Sequence, residues 1–446
     1  MTRERRIGLF LVLFSTTISI LWGFALSRAN SGGMADFQAV YYGARCLIQH
    51  KDPYIETEFL RVYLADGGQF PPDPAVSNLL RRAIPVCINL PTALLLTLPF
   101  AILAWGPAHL LWMTLIAGCL VLASFLIWDL AGAYSQGVSL FLICFVLANS
   151  EVLISSGNLA GIAIGLCIAA VWCFMKDRFV VAGILCLAVG LVIKPHDVGL
   201  VWLFFLLGGA SYRKRALQTL AFALVLCLPA ILWVSHVAPN WMQELHSNLL
   251  ATSAHGDIRD PGPTSSGIHE VEVVIDLQSV ISIFRDDPRI YDPASYLACG
   301  TLLLVWSAQT LISRDSRPRD WLALAVIVPL TMLASYHRPY DAKLLLLTIP
   351  ACAMLWYEGG AIGRIALVIN TAAIVFTGDI PMALLLLVSN RLHVGTSGFL
   401  GKIQTVMLLR PATLILLAMT VFYLWAYLRR TSGSFELAKP KVAERV

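Results

Sequence analysis

Long apolar runs, separated by short polar segments, fill most of this sequence. A helix that crosses a bilayer needs about 20 residues, because it rises about 1.5 Å per residue. The runs 91–104 and 381–390 are too short to cross, and Pro99 interrupts the first. The apolar runs are 7–25, 91–104, 108–128, 138–154, 159–175, 179–193, 198–210, 216–236, 293–312, 321–335, 342–357, 361–377, 381–390 and 405–428. The pattern therefore predicts an all-α polytopic membrane protein with about twelve transmembrane helices, in which 91–104 is re-entrant or interfacial.

Basic residues between the runs predict the orientation of the chain. Short loops rich in Lys and Arg stay in the cytoplasm, and such clusters occur at the N-terminus and near residues 176–178, 213–215, 314–319 and 429–430. We therefore expect both ends inside a cytoplasmic (inner) membrane of bacterial type. The long polar segments 26–90 and 237–292 are then extracytoplasmic loops. Residues 1–430 form one membrane domain in this interpretation, and residues 431–446 form a cytoplasmic tail.

Composition supports the membrane interpretation and excludes several functions. Of 446 residues, 58% are apolar and 13% are charged, whereas soluble domains have about 25% charged residues. The net charge of +5 comes from scattered basic clusters, so we expect membrane lipid and no nucleic acid as a partner. No glycine-rich phosphate loop of the nucleotide-binding types is present. The group His255, Asp257, Asp260 and His269 matches no ligand spacing, so we expect neither a metal nor a cofactor.

Four polar clusters fall on the outer side of the membrane by this topology. They are Asp36 and its neighbours, Gly157-Asn158, the stretch from Lys194 to Asp197, and the stretch from Tyr336 to Asp341. Each has an ordinary structural interpretation: a helix N-cap or loop carboxylate, a turn, a lysine reaching the interface, and a salt-bridged turn. Charged groups at membrane depth are costly, however, and often mark a ligand site. Their common side favours a single site.

The types of residue in these clusters indicate acid–base and phosphate chemistry. A half-desolvated carboxylate such as Asp36 suits a general base. The lysine, arginine and histidines of the two later clusters suit an anion, and Asp341 suits a sugar hydroxyl.

The order of these motifs resembles glycosyltransferase family 87 of the GT-C superfamily. The opening motif of that family is similar to Asp36-Phe37 followed by Tyr41-Tyr42 and then Asp52-Pro53-Tyr54. The later matches are Leu90-Pro91 with Pro99 and Trp112, Gly157-Asn158 where the family often has Gly-Gln-x-Asn, Lys194-Pro195, and Tyr336 to Asp341 followed by Leu344 to Pro350. The resemblance runs from about residue 30 to residue 355.

This resemblance implies a GT-C fold and an inverting hexosyltransferase. Members move a sugar, typically mannose, from a polyprenyl-phosphate carrier to an extracytoplasmic glycolipid or glycan acceptor. Asp36 is then the catalytic base. The resemblance and the residue types together assign the donor phosphate to Lys194, His196, His337 and Arg338. They assign the sugar to Tyr41, Tyr42, Asn158, Tyr340 and Asp341. A transporter or flippase of lipid-linked sugars is the alternative, since it would use the same polar clusters without chemistry.

Overall fold

The described part of the protein is built from α-helices and contains no strand. The computed structural model describes residues 3–29, 33–263, 274–312, 317–392 and 398–431. The helices are α1 Arg3–Ala29, α2 Ala35–Ile48, α3 Glu56–Ala65, α4 Pro74–Ala83, α5 Pro91–Ala101, α6 Trp105–Ala131, α7 Gln136–Leu147, α8 Glu151–Ser156, α9 Ala160–Lys176, α10 Val180–Ile193, α11 Pro195–Leu207, α12 Ala210–Val237, α13 Trp241–Thr252, α14 Gln278–Phe284, α15 Pro288–Ile312, α16 Arg317–Ala334, α17 Ile349–Glu358, α18 Gly360–Phe376, α19 Asp379–Leu392, α20 Gly398–Leu409 and α21 Pro411–Thr431. A 3₁₀ helix, Pro339–Thr348, precedes α17.

The apolar runs of the sequence form these helices, but three runs are divided. The run 138–154 forms α7 and α8, and the run 342–357 forms the end of the 3₁₀ helix and α17. The run 405–428 is divided before Pro411, because a proline disfavours helical geometry in the residue before it. Hydrophobicity alone does not show such breaks, since both halves of each run stay apolar.

Five helices in the described residues are long and apolar enough to cross a membrane: α1, α6, α12, α15 and α21. A sixth crossing results if α18 and the start of α19, which meet at 64°, form one broken span. Six further apolar helices are shorter, among them α5 with its internal Pro99. The count of twelve crossings and the re-entrant role of 91–104 stay predictions. Of the expected tail, residues 432–446 lie outside the described residues.

The helices separate into a buried centre and an apolar outer surface. Along α16, the residues from Trp321 to Leu333 are all buried, and the 3₁₀ helix is buried along most of its length. By contrast, α12 exposes Leu224, Val225 and Leu232. Water would penalise such a continuous apolar surface, whereas lipid does not. The chain is therefore an integral membrane protein.

Short helices occupy the two long polar segments of the sequence. The first segment holds α2, α3 and α4, and the second holds α13 and α14. Residues 274–277 run beside the chain that leaves α16: Ile275 N donates to His337 O at 3.0 Å, and Leu277 N donates to Leu333 O at 3.1 Å. Through these bonds the second polar segment contacts the cluster that begins at Tyr336.

Candidate active site

The end of α8 and the start of α2 meet directly, and this junction positions Asp36. Gly157 ends α8 with φ +69°, a left-handed conformation that glycine adopts without strain. A Cβ at this position would lie 2.7 Å from Cβ of Phe37, so only glycine fits without a shift. Met34 N donates to Ser155 O at 2.7 Å. The carboxylate of Asp36, in the first turn of α2, therefore faces the residue that follows Gly157.

Asn158 connects Asp36 to the second cluster. Its Oδ1 accepts a hydrogen bond from Ala160 N at 2.8 Å, and a backbone N–H can only donate, so the orientation of the amide is settled. Its Nδ2 donates to Asp36 Oδ2 at 2.8 Å. Lys194 Nζ lies 3.4 Å from the same Oδ1. One amide therefore links the carboxylate of Asp36 to the ammonium of Lys194.

Lys194 lies between α10 and α11, where Pro195 starts the second helix. Its Nζ lies 3.1 Å from Asp197 Oδ2 and forms an ion pair with Asp341 Oδ1. With Asn158, these partners account for all three N–H groups of the ammonium. Burial lowers the pKa of Lys194, but the charges of Asp197 and Asp341 outweigh burial and raise it above the ordinary value. The ammonium therefore stays charged.

Asp197 is the centre of the polar network, although its sequence position alone indicated no role for it. It is 1% exposed, and its Oδ1 lies 3.2 Å from Nε2 of His337 and 3.7 Å from Nε2 of His196. The two imidazole rings lie edge to face, with 5.1 Å between their centroids. Lys194 and Asp197 lie three residues apart where α11 begins, and this spacing is the sequence signal for their contact.

The carboxylate of Asp341 makes two contacts at the start of the 3₁₀ helix. Its Oδ2 accepts a hydrogen bond from Arg338 N at 2.8 Å, which caps the helix, while Oδ1 pairs with Lys194. Tyr340 is buried beside these groups, and its ring centroid lies 5.4 Å from Lys194 Nζ. Burial and then the charge of Asp36 raise the pKa of Tyr340, so its hydroxyl stays protonated.

The structure adds one basic residue, Arg259, that sequence reasoning missed. Its guanidinium carbon lies 4.6 Å from the ring centroid of Tyr336, and that of Arg338 lies 5.4 Å from the same centroid. Burial lowers the pKa of Arg259, and the charge of Arg338 lowers it further. Two guanidinium groups therefore lie around one tyrosine. No pattern near residue 259 distinguishes this arginine from an ordinary loop residue.

Tyr41 and Tyr42 lie on α2 and pack in an aromatic cluster. The hydroxyl of Tyr41 donates to Leu103 O at 2.8 Å, and its ring centroid lies 5.2 Å from that of Trp105. The ring centroid of Tyr42 lies 4.9 Å from that of Tyr63. These contacts fix α2 against its neighbours. The contacts that join Asp36, Asn158, Lys194 and Asp341 form a separate set.

The other polar group considered in the sequence is only partly described. His269 lies outside the described residues. His255 Nδ1 lies 3.1 Å from Asp260 Oδ2, and Asp257 Oδ2 lies 3.6 Å from Arg82 Nη1. These contacts stabilise the second polar segment.

A mainly apolar cavity of about 350 Å³ adjoins the network. Helices α11, α15 and α16 line it, and His196 and Ser335 lie in its wall. A Cβ added at Gly199 or Gly300 in the same wall would meet no atom within 4 Å. The polar network therefore has direct access to a space suited to an apolar chain.

The family model of glycosyltransferase family 87 matches residues 88–335, more than half of the chain. The chain belongs to glycosyltransferase family 87. This family is of the GT-C type, so the protein is a membrane glycosyltransferase that uses a sugar donor and an acceptor. Asn158 and Lys194 lie inside the part of the chain that the family model matches, whereas Asp36 and Asp341 lie outside that part. No curated protein and no solved structure matches the chain.

Proposed function

We propose that this family 87 enzyme transfers a hexose, most simply mannose, from a polyprenyl-phosphate-sugar donor to a glycolipid or glycan acceptor. The reaction takes place at the extracytoplasmic face of a bacterial cytoplasmic membrane and inverts the anomeric centre. One observation carries the proposal: Asp36 and Lys194 meet on the amide of Asn158, although they come from distant parts of the chain. A base and a charged network thus lie on the two sides of one amide group.

Asp36 is the general base in this proposal. Asn158 engages Oδ2, and we assign Oδ1 to the hydroxyl of the acceptor. The acceptor oxygen forms a bond to the anomeric carbon while its proton passes to Asp36, and the bond from that carbon to the phosphate oxygen breaks. The electron pair of the broken bond leaves with polyprenyl phosphate. Asp36 is half-buried in the first turn of α2, so a hydroxyl can reach it.

The leaving phosphate requires positive charge rather than a general acid, because its oxygen is a weak base. Arg338 and Arg259 supply two guanidinium groups near Tyr336. The rings of His196 and His337 are in contact, and His196 lines the apolar cavity. The N–H groups of Lys194 are directed at carboxylates and Asn158, so we assign it a positioning role between Asp197 and Asp341.

The remaining candidate residues support the sugar and the fold of the site. Asn158, Tyr340 and Asp341 lie next to Asp36 or Lys194, and we assign them to the sugar hydroxyls. Tyr41 and Tyr42 hold α2 in place through their aromatic contacts and support the sugar pocket from behind.

The cavity between α11, α15 and α16 supports a lipid-linked donor. Its lining includes Leu200, Leu303 and Leu330, which would contact an isoprenoid chain, while His196 lies where a phosphate would follow that chain. The charged phosphates of a nucleotide sugar would find no polar partner on the leucine side chains of this wall.

The test uses the full-length protein in lipid vesicles with radiolabelled polyprenyl-phosphate mannose and a lipid extract of cell envelopes as the acceptor source. We expect the label to move into a new glycolipid, with release of polyprenyl phosphate, both measured by mass spectrometry. A comparison of envelope glycolipids from cells with and without the gene identifies the natural product. If the carrier crosses the bilayer without cleavage, the protein is a transporter. If the protein neither cleaves nor moves the carrier, the donor assignment is wrong.

A further inference from the structure

His337 presents one ring nitrogen to a backbone carbonyl and the other to a carboxylate. Its Nδ1 lies 2.7 Å from Ser335 O, and a carbonyl only accepts, so Nδ1 carries a hydrogen. In the neutral ring, Nε2 then presents a lone pair. This atom lies 3.2 Å from Asp197 Oδ1, and the side chains are 0% and 1% exposed. Two lone pairs facing each other in a buried site are unfavourable, so either a proton or a cation has to lie between these two atoms.

A second imidazole points at the same oxygen. Nε2 of His196 lies 3.7 Å from Asp197 Oδ1, and one ligand atom from each of the three residues lies within 4.8 Å of the other two. A proton on His337 would satisfy one contact, but it would not explain the convergence of two imidazoles on one carboxylate oxygen.

The two distances from Asp197 to the histidines suit a metal ion with tetrahedral ligands. Bonds of about 2.0–2.2 Å to nitrogen and oxygen place neighbouring ligand atoms about 3.4 Å apart. The separations of 3.2 and 3.7 Å lie on either side of this value. The ligand atoms of the two histidines lie within 4.8 Å of each other, and a rotation of the exposed His196 side chain would bring them to the tetrahedral separation.

The hydrogen-bond partners of His337 and Asp197 are also those that metal ligands usually have. A metal-bound histidine usually donates its other N–H to a carbonyl or carboxylate, as His337 does to Ser335 O. A metal-bound carboxylate is usually hydrogen-bonded in turn, as Asp197 Oδ2 is to Lys194. Asp341 balances the charge of that lysine.

We infer that His196, Asp197 and His337 bind a divalent metal ion of the Zn²⁺ class, with its open position toward the phosphate of the donor. The ligand set of two imidazoles and one carboxylate is typical of sites that keep a position for substrate. His196 is 40% exposed and lines the apolar cavity, so the open position faces the space assigned to the donor. The phosphate half of this inference rests on the proposed function. It differs from the sequence-based expectation that the protein has no metal.

The metal would act on the leaving group. It would bind a non-bridging oxygen of the phosphate and stabilise the charge that develops as the anomeric C–O bond breaks. The electron pair of the broken bond still leaves with polyprenyl phosphate, and the acceptor proton still passes to Asp36. The metal therefore changes neither where the electrons go nor where the proton goes.

The first test measures metal binding without any substrate. Purified full-length protein is stripped with a chelator, dialysed against Zn²⁺ and analysed for metal content. Substitution with Co²⁺ gives a visible spectrum that reports tetrahedral ligands. We expect one Zn²⁺ per chain in the wild type and none in His196→Asn or His337→Gln. The control His236→Asn changes an exposed histidine at the end of α12 and should bind as the wild type does. Because His196 is exposed, its variant should fold even if the His337 variant does not.

The second test measures whether the bound metal contacts phosphate. The probe is polyprenyl phosphate alone, and its affinity is compared for the Zn²⁺-loaded and the stripped protein. We expect at least roughly tenfold weaker binding without the metal.

Equal metal content in the His196→Asn and His236→Asn variants would show an adventitious ion only and overturn the inference. Equal affinity of the stripped and loaded protein for the probe would also overturn it. Neither measurement requires sugar transfer. Normal sugar transfer by a protein that binds no metal would therefore reject this inference and leave the proposed function intact.

Discussion

Replacement of Asp36 by Asn separates the catalytic role of this carboxylate from its structural role. The substitution keeps the size of the side chain and removes its charge and its basicity. A positioned general base typically contributes a factor of about 10² to 10⁴ to a rate. Asp36→Asn should therefore lower kcat for sugar transfer by that factor, which corresponds to about 3–5 kcal/mol of activation free energy.

The structure predicts a much smaller effect of this change on stability. The new amide oxygen can still accept the hydrogen bond from Asn158 Nδ2, now without the contribution of charge, at a cost of about 1 kcal/mol. Loss of a negative charge in the first turn of α2 costs roughly a further 0.3–1 kcal/mol. We therefore expect the free energy of unfolding to fall by less than about 2 kcal/mol.

The assay compares single-turnover transfer and thermal unfolding for the wild type, Asp36→Asn and the control Asp66→Asn. Asp66 also carries a carboxylate in the first polar segment, and it pairs with Arg45 at 2.9 Å away from the network around Lys194. The control should transfer sugar at the wild-type rate. Full activity of a folded Asp36→Asn variant would refute the assignment of the base.

Three further predictions concern the groups that support the site. Lys194→Met leaves the buried carboxylates of Asp197 and Asp341 without their cation and should cost about 3–5 kcal/mol in the free energy of unfolding. The control Lys176→Met breaks an exposed ion pair with Asp129 and should cost less than about 1 kcal/mol; equal losses in chemical denaturation would contradict this view. Gly157→Ala must hold alanine at φ +69° against Phe37, so it should cost at least about 1–2 kcal/mol and displace Asp36 enough to lower kcat roughly a hundredfold. Gly67→Ala, at φ +84° in open space, should leave kcat unchanged, and a similar loss of kcat there would show that strain alone is responsible. Burial raises the pKa of Asp276 to about 6, above its value of about 3.9 in the unfolded chain, so the folded state favours the protonated acid and loses stability as pH rises from about 4 to about 6. Asp276→Asn should remove this loss, and parallel melting temperatures of the two proteins across that pH range would disprove it.

The class of the protein and most of its helices follow from the sequence alone. Apolar runs predict helices because each residue in a run responds to the same local requirement, a lipid or protein environment with internal backbone hydrogen bonds. The family resemblance followed from the ordered series of short motifs that begins at Asp36 and ends at Pro350, and the family model confirms the family over residues 88–335. The roles of Asp36 and the other site residues remain predictions that the structure makes concrete.

Only the tertiary structure decided which polar groups meet. Asp36, Asn158, Lys194 and Asp341 come together because α2, α9, α11 and the 3₁₀ helix pack around one point, and no local pattern contains that packing. The same packing placed Asp197 between two histidines and brought Arg259 to the site from a polar segment without a distinguishing motif. Hydrophobicity does not show the breaks within the three divided apolar runs, although Pro411 marks one of them. A sequence shows how costly a charge is at membrane depth, whereas the fold alone determines which partner offsets that cost.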